Sequence, residues 1–157
     1  MICHKHKVVF IHIPRTSGTS IEKVFRKNYD NEGDYEYFFG WDAENKVWMQ
    51  HATIHQVNDL YNGDLTGYFK FGFVRNPWSR GVSDFMWLRH EQKINGTLAD
   101  YLLVRNDFEK IKNMEKRTYR IDHTFPQYEF LFDENGTQFV DFIGRFENLQ
   151  QDFNIVC

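Results

Sequence analysis

Seven consecutive residues, Pro14-Arg15-Thr16-Ser17-Gly18-Thr19-Ser20, combine one cation, four hydroxyls and a glycine directly after an apolar run. Small residues let the backbone curl until successive N–H groups converge. A helix starting just beyond them adds its positive dipole end, and the result is a cradle for an anion. Arg15 and the hydroxyls of Thr16, Ser17, Thr19 and Ser20 would add donors. The same residues would also make an ordinary strand-to-helix turn with a Ser or Thr cap. The segment departs from the G-x-x-x-x-G-K-[ST] loop of nucleoside triphosphate binders, because with Gly18 as the last glycine, Thr19 fills the Lys position and Ile13 the first glycine position. A phosphate-like ligand fits this loop better than a Mg²⁺ triphosphate.

A second segment, Arg75-Asn76-Pro77-Trp78-Ser79-Arg80-Gly81-Val82-Ser83, follows another apolar run. Arg75 at the end of a strand and Ser83 on the helix after it could grip a second phosphate. Arg75 could equally pair with a structural carboxylate, with Ser83 a packing residue. Between the two segments stands His51, in Gln50-His51-Ala52-Thr53. Histidine is the side chain best tuned to accept a proton near neutral pH. His55, one helical turn on, is the reserve candidate. Cys3, His4 and His6 do not have the spacing of a zinc site and read as a frayed terminus. No metal is expected.

These residues need elements to hold them. Lys7 to Ile13 reads as a buried strand ending at Pro14, and Thr19 to Lys27 as a helix with Ile21, Val24 and Phe25 on one face. A short strand is expected over Val47 to Gln50, then a helix from Thr53 to Tyr61 capped by Thr53. Tyr68 to Val74 is the second strong strand, with Pro77 suited to the first turn of the next helix. Thr97 to Val104 reads as helical, and so does a stretch after Asn106. Gln138 to Ile143 reads as a third strand, and Asn148 to Asp152 as a helix start. Strand, loop and helix in repetition predict an α/β fold with a mainly parallel central sheet. Ligands of such sheets sit beyond the carboxyl ends of the strands, where all three candidate segments fall.

The 157 residues suit a single domain over 1–157. Hydrophobic residues make up 41% and charged residues 26%, ordinary globular proportions that speak against disorder. The net charge of −3 speaks against a nonspecific nucleic-acid binder. Mean hydropathy is −0.62, and no run reaches the roughly 18 apolar residues of a membrane span. Two cysteines cannot make a disulfide framework, and no export signal is visible, so a cytoplasmic location is expected.

The ordered pair of segments resembles the 5′- and 3′-phosphate motifs of sulfotransferases that use 3′-phosphoadenosine 5′-phosphosulfate (PAPS). It is most similar to the carbohydrate-type family, called family 2, with its H-I-P-K-T-G/A-G-T-S signature. Here the signature reads His12-Ile13-Pro14-Arg15-Thr16-Ser17-Gly18-Thr19-Ser20, and the family's R-N-P-W/Y with a serine eight residues after its Arg appears as Arg75 to Ser83. The ending Phe142-Ile143-Gly144-Arg145-Phe146-Glu147-Asn148-Leu149 also resembles that family. The resemblance implies a three-layer, P-loop-like α/β/α fold. It implies a loop of Arg15, Thr16, Ser17, Gly18, Thr19 and Ser20 holding the 5′-phosphosulfate, with Arg75 and Ser83 on the 3′-phosphate. His51 would be the base, the acceptor a sugar or glycan hydroxyl, and the second product adenosine 3′,5′-bisphosphate (PAP). Arg15 stands where the family usually has Lys, and family members are usually longer, so part of the acceptor site would lie outside these residues. The alternatives are a P-loop kinase-like phosphotransferase and a noncatalytic nucleotide-binding domain. Oligomeric state is left open.

Overall fold

A computed structural model describes residues 1–27, 35–36, 38–44, 47–108 and 121–157. Its centre is a five-stranded sheet of β1 (Ile2–Cys3), β2 (Val8–Ile11), β3 (Tyr35–Glu36), β6 (Phe69–Val74) and β7 (Phe142–Arg145), ordered β3-β1-β2-β6-β7. β2 pairs parallel with β6, and β6 parallel with β7. β1 is antiparallel to both of its neighbours, so it alone runs against the other four.

β2 is apolar throughout because both of its faces are covered. Val8 and Phe10 point to one side and Val9 and Ile11 to the other. The first side meets α1 (Gly18–Lys27) and α5 (Leu149–Val156). There Phe25 packs on Phe71, and Phe153 packs on both Phe25 and Phe73. The second side meets α2 (Ile54–Leu60) through Ile54 and Val57, together with Phe130 and Leu131. Phe10 and Phe71 are completely buried, each contributing roughly 1.5–3 kcal/mol by leaving water. Two glycines make room on the strands. A Cβ on Gly144 would stand 2.3 Å from the Phe73 ring, and one on Gly72 2.7 Å from Leu131.

The remaining elements sit around this sandwich. α3 (Pro77–His90) begins at Asn76, whose Oδ1 accepts from the N–H groups of Trp78 and Ser79, with Pro77 in its first turn as expected. Together with α4 (Leu98–Leu102) it forms a small satellite core of Phe85, Leu88, Ile94 and Phe108. Thr53 and Gln56 close a reciprocal capping box at the start of α2.

Two expectations about the strands are corrected. Val47 to Gln50 is not a strand of the central sheet: β5 (Val47–Trp48) pairs only with β4 (Trp41–Asp42) in a separate ribbon, and Met49–His51 turn as a 3₁₀ helix. The third strand starts at Phe142 rather than Gln138. Gln138 instead bridges Phe132, because the turn around Asn135 and Gly136 folds that stretch back on itself. The stretch after Asn106 lies largely outside the described residues.

The N-terminus is not frayed. Ile2 and Cys3 are fully buried in β1, one on each face of the sheet. The Met1 amine donates to the carbonyl of Phe10 at 3.0 Å. Burial pushes this amine down to about 6, with Glu22 pulling weakly the other way. Between pH 6 and 8 the unfolded chain therefore carries a proton that the folded chain does not. Folding stability is expected to rise with pH across that window, by about 2–3 kcal/mol in full. Urea unfolding at pH 6 and pH 8 measures the slope, and an N-acetylated chain should lose it.

Candidate functional site

Parallel pairing of β2 with β6 sets Ile11 beside Gly72, so the loops that leave these two strands emerge side by side. β7 continues the row, and Phe146 follows its last residue. A cavity of about 330 Å³ opens there, within the lower range of ligand pockets. Of the residues expected from sequence, Arg15, Ser17, Gly18, Thr19, His51, Arg75 and Ser83 line it. Thr16 and Ser20 do not. Thr16 is completely buried and donates its hydroxyl to the carbonyl of Ile13 at 2.8 Å, bracing the loop from beneath. Ser20 lies exposed on α1.

The loop carries positive φ at Arg15 (67°) and Ser17 (74°), a conformation that costs a non-glycine residue energy. Alternating left-handed residues turn neighbouring N–H groups toward one point, the geometry of an anion nest. Gly18 opens α1, and in its first turn the N–H groups of Ser20 and Ile21 donate to the Ser17 carbonyl at 2.9 and 3.2 Å, which leaves those of Gly18 and Thr19 without a carbonyl of their own helix. Gly18 is required by close approach: a Cβ there would lie 2.0 Å from the ring of His12. His12 is buried under the helix start and held through Nδ1 by Glu22 at 2.8 Å.

Two guanidiniums face the cavity. Arg15 donates from Nε and Nη2 to Ser83 Oγ at 3.3 and 3.2 Å and lies over the ring of Trp87. Arg75 donates to Ser79 Oγ at 2.9 Å and to the carbonyl of Arg15 at 3.3 Å, with Phe146 beneath its cation at 4.0 Å. Among the described residues neither makes an ion pair, and the charge of Arg75 acts through space on Glu147. Ser83 contacts Arg15 rather than Arg75, which differs from the expected pairing. Partial burial holds Arg15 below the usual arginine range; Arg75 pushes the same way and Asp84 against it. Two like charges sharing a pocket without a carboxylate between them suit an anionic ligand.

His51 is buried at the cavity wall, its Nδ1 bonded to Asp122 and its Nε2 3.1 Å from the amide nitrogen of Gln50. His55 is turned away onto Phe139 and lines no part of the cavity. Sequence reasoning missed His123, which is buried, bonded through Nδ1 to Asp84 at 2.5 Å and stacked on Trp87. Asp84 also accepts from the Tyr101 hydroxyl at 3.1 Å. Burial first, then Asp84, pushes that phenol far up, so it remains a donor. Arg80 anchors the surroundings by donating to the carbonyls of Pro14, Phe125 and His123 at 3.0, 2.9 and 3.1 Å. An Arg80–Asp84 spacing on α3 is the signal that could have pointed inward, since charges four apart on a helix share a face.

The family model for the sulfotransferase family matches residues 1–157. This chain belongs to the sulfotransferase family. A curated relative, an uncharacterized protein of Archaeoglobus fulgidus, is 30% identical over 87 residues, which is 55% of this chain and 62% of that protein. The chain thus spans less than two thirds of that relative's length. No solved structure matches the chain significantly. The mixed α/β fold, with its central sheet of mostly parallel strands, is compatible with membership, and among the described residues no helix is long and apolar enough to cross a membrane.

The contact of Gly18 with His12 gives a direct test of this architecture. Gly18→Ala should force the imidazole off Glu22 and cost about 1–3 kcal/mol, the usual range for overpacking a tight site. Chemical denaturation of the variant measures it, and unchanged stability would mean that the helix start does not rest on His12.

Proposed function

We propose that this chain transfers a sulfuryl group from PAPS to a hydroxyl, with a sugar or glycan as acceptor. The observation that carries the reading is the convergence of Arg15 and Arg75, with Ser83 and the nest around Ser17, on one cavity at the carboxyl ends of β2 and β6. The donor's charge fits these residues. A 5′-phosphosulfate would lie on the first-turn amides of α1 and Arg15, and a 3′-phosphate would meet Arg75 and Ser83.

In-line transfer forms the bond from acceptor oxygen to sulfur as the bond from sulfur to the bridging phosphate oxygen breaks. The electron pair leaves on the phosphate of PAP, and the acceptor proton must go to a base. Arg15 and the loop amides stabilise the charge that builds on the leaving phosphate. Asp122, an acceptor only when ionised, keeps the His51 proton on Nδ1 and leaves Nε2 to take the one from the hydroxyl. Gln50 donates to that nitrogen and must yield to the acceptor. Arg15 in the usual Lys position retains the cation and adds a planar fork, used here on Ser83.

Calorimetry with PAP, set against ATP with Mg²⁺, tests the donor. PAP should bind and the triphosphate should not. Arg75→Ala should weaken PAP by on the order of 1.5–3 kcal/mol, the worth of a charge-assisted contact, while barely changing binding of adenosine 5′-phosphate, which lacks the 3′ group. Equal losses for both ligands would remove Arg75 from the 3′ site.

His51→Ala should leave PAP affinity nearly unchanged and lower labelled-sulfate transfer by roughly 10²–10⁴-fold. A folded variant with near-normal transfer would take His51 out of the chemistry. Arg15→Lys should keep donor binding and activity, and a folded variant that binds PAP but is inactive would overturn the reading of the loop.

A further inference from the structure

Three histidines reach the cavity, and each is clamped at Nδ1 by a buried carboxylate: His12 by Glu22, His51 by Asp122 and His123 by Asp84. A carboxylate at Nδ1 fixes the proton there, so in the neutral ring Nε2 is an acceptor. The three Nε2 atoms do not share one fate. That of His12 lies beneath the start of α1, where a Cβ on Gly18 would come within 2.2 Å of it. That of His51 faces the Gln50 amide. That of His123 is buried and has no hydrogen-bond partner among the described residues.

A buried acceptor left unmet is costly, and in native proteins such an atom is met by a water, an ion or a ligand or has a catalytic role. His123 is also a built feature. Asp84 and the Tyr101 hydroxyl hold its Nδ1 side, Trp87 stacks on its face at 5.0 Å, and Arg80 fixes its carbonyl. Its ring centroid is 5.2 Å from that of His51, and both residues line the one cavity. One transfer releases one proton, and one imidazole receives it. The second acceptor nitrogen then calls for a second donor on the same substrate.

We propose that His123 Nε2 accepts a hydrogen bond from a hydroxyl adjacent to the one sulfated. The acceptor is then a vicinal diol, and His123 determines which of its hydroxyls meets His51. The assignment rests on the sulfuryl-transfer reading for the identity of the reacting hydroxyl. The recognition of a diol can be measured without any transfer.

The test uses cis-1,2-cyclohexanediol and cyclohexanol as probes, titrated into the protein with and without PAP and followed by ligand-observed NMR. The wild-type chain should bind the diol about five- to tenfold more tightly than the monoalcohol, the worth of one added hydrogen bond. The diol, and not the monoalcohol, should move the ¹⁵N resonance of His123 Nε2. His123→Ala should bring the two probes to equal affinity while PAP affinity stays as it was. Asp84→Asn keeps the side-chain volume, but with its oxygen on the Tyr101 hydroxyl its NH₂ donates to Nδ1 and moves the ring proton to Nε2, so it should also lose the preference and the result does not hang on one variant. Equal or absent binding of the diol by the wild type overturns the assignment, as does a preference that survives in folded His123→Ala. A wild-type chain that binds no PAP defeats the sulfuryl-transfer reading instead, and its diol preference still decides for or against His123.

Discussion

The buried guanidinium of Arg80 is the contact on which the cavity depends. A single planar side chain ends the search of three backbone carbonyls for donors, one in the anion loop and two in the segment that carries His123. Those carbonyls have no sheet or helix to bond, and a buried carbonyl without a donor is a substantial penalty. Asp84, one turn further along the same helix, balances the charge and orients His123. α3 thus does more than support Ser83. It ties the loop after β2 to the opposite wall, so that both walls keep their spacing.

Charge is distributed unevenly across this arrangement. The carboxylates of Glu22, Asp84 and Asp122 stand behind imidazoles, away from the space they help shape. The exposed side of the cavity is left to Arg15, Arg75 and backbone amides. Negative charge on the protein is therefore screened from an incoming anion by rings, while positive charge meets it directly. A net charge of −3 for the whole chain is compatible with this, because electrostatic recognition is decided by the few groups lining the pocket.

Much of this could be read in the sequence. β2 and β6 were legible because β2 is a continuous apolar run and β6 a run of three phenylalanines and a valine, both stopped by proline-containing turns, and their parallel pairing follows from the helices between them. The loop from Arg15 to Thr19, Arg75, Ser83 and His51 were legible because each carries its chemistry in a local pattern. His123, Asp84 and Asp122 were not. Their partners lie far along the chain, 71 residues apart for His51 and Asp122 and 39 for His123 and Asp84, and no local spacing encodes such a contact. The N-terminal strand was missed because two apolar residues are too few to give a period, and a run of charged turn residues hides the hairpin. The late start of β7 has a similar cause, since a β-branched or aromatic residue such as Phe139 or Val140 favours a strand without specifying which neighbour completes it.

The pairing of β2 with β6 also has a kinetic consequence. The two sides of the cavity are contributed by strands separated by α1, the β4–β5 ribbon and α2, and the clamp of His51 by Asp122 closes over 71 residues. Chain closure of that span must precede any reward from the contacts, which slows folding relative to a protein built from local pairs. A fragment that lacks either strand lacks one side of the cavity. Occupancy of the cavity is therefore a report on the whole fold, and an anion that binds there draws the folding equilibrium of the entire chain with it.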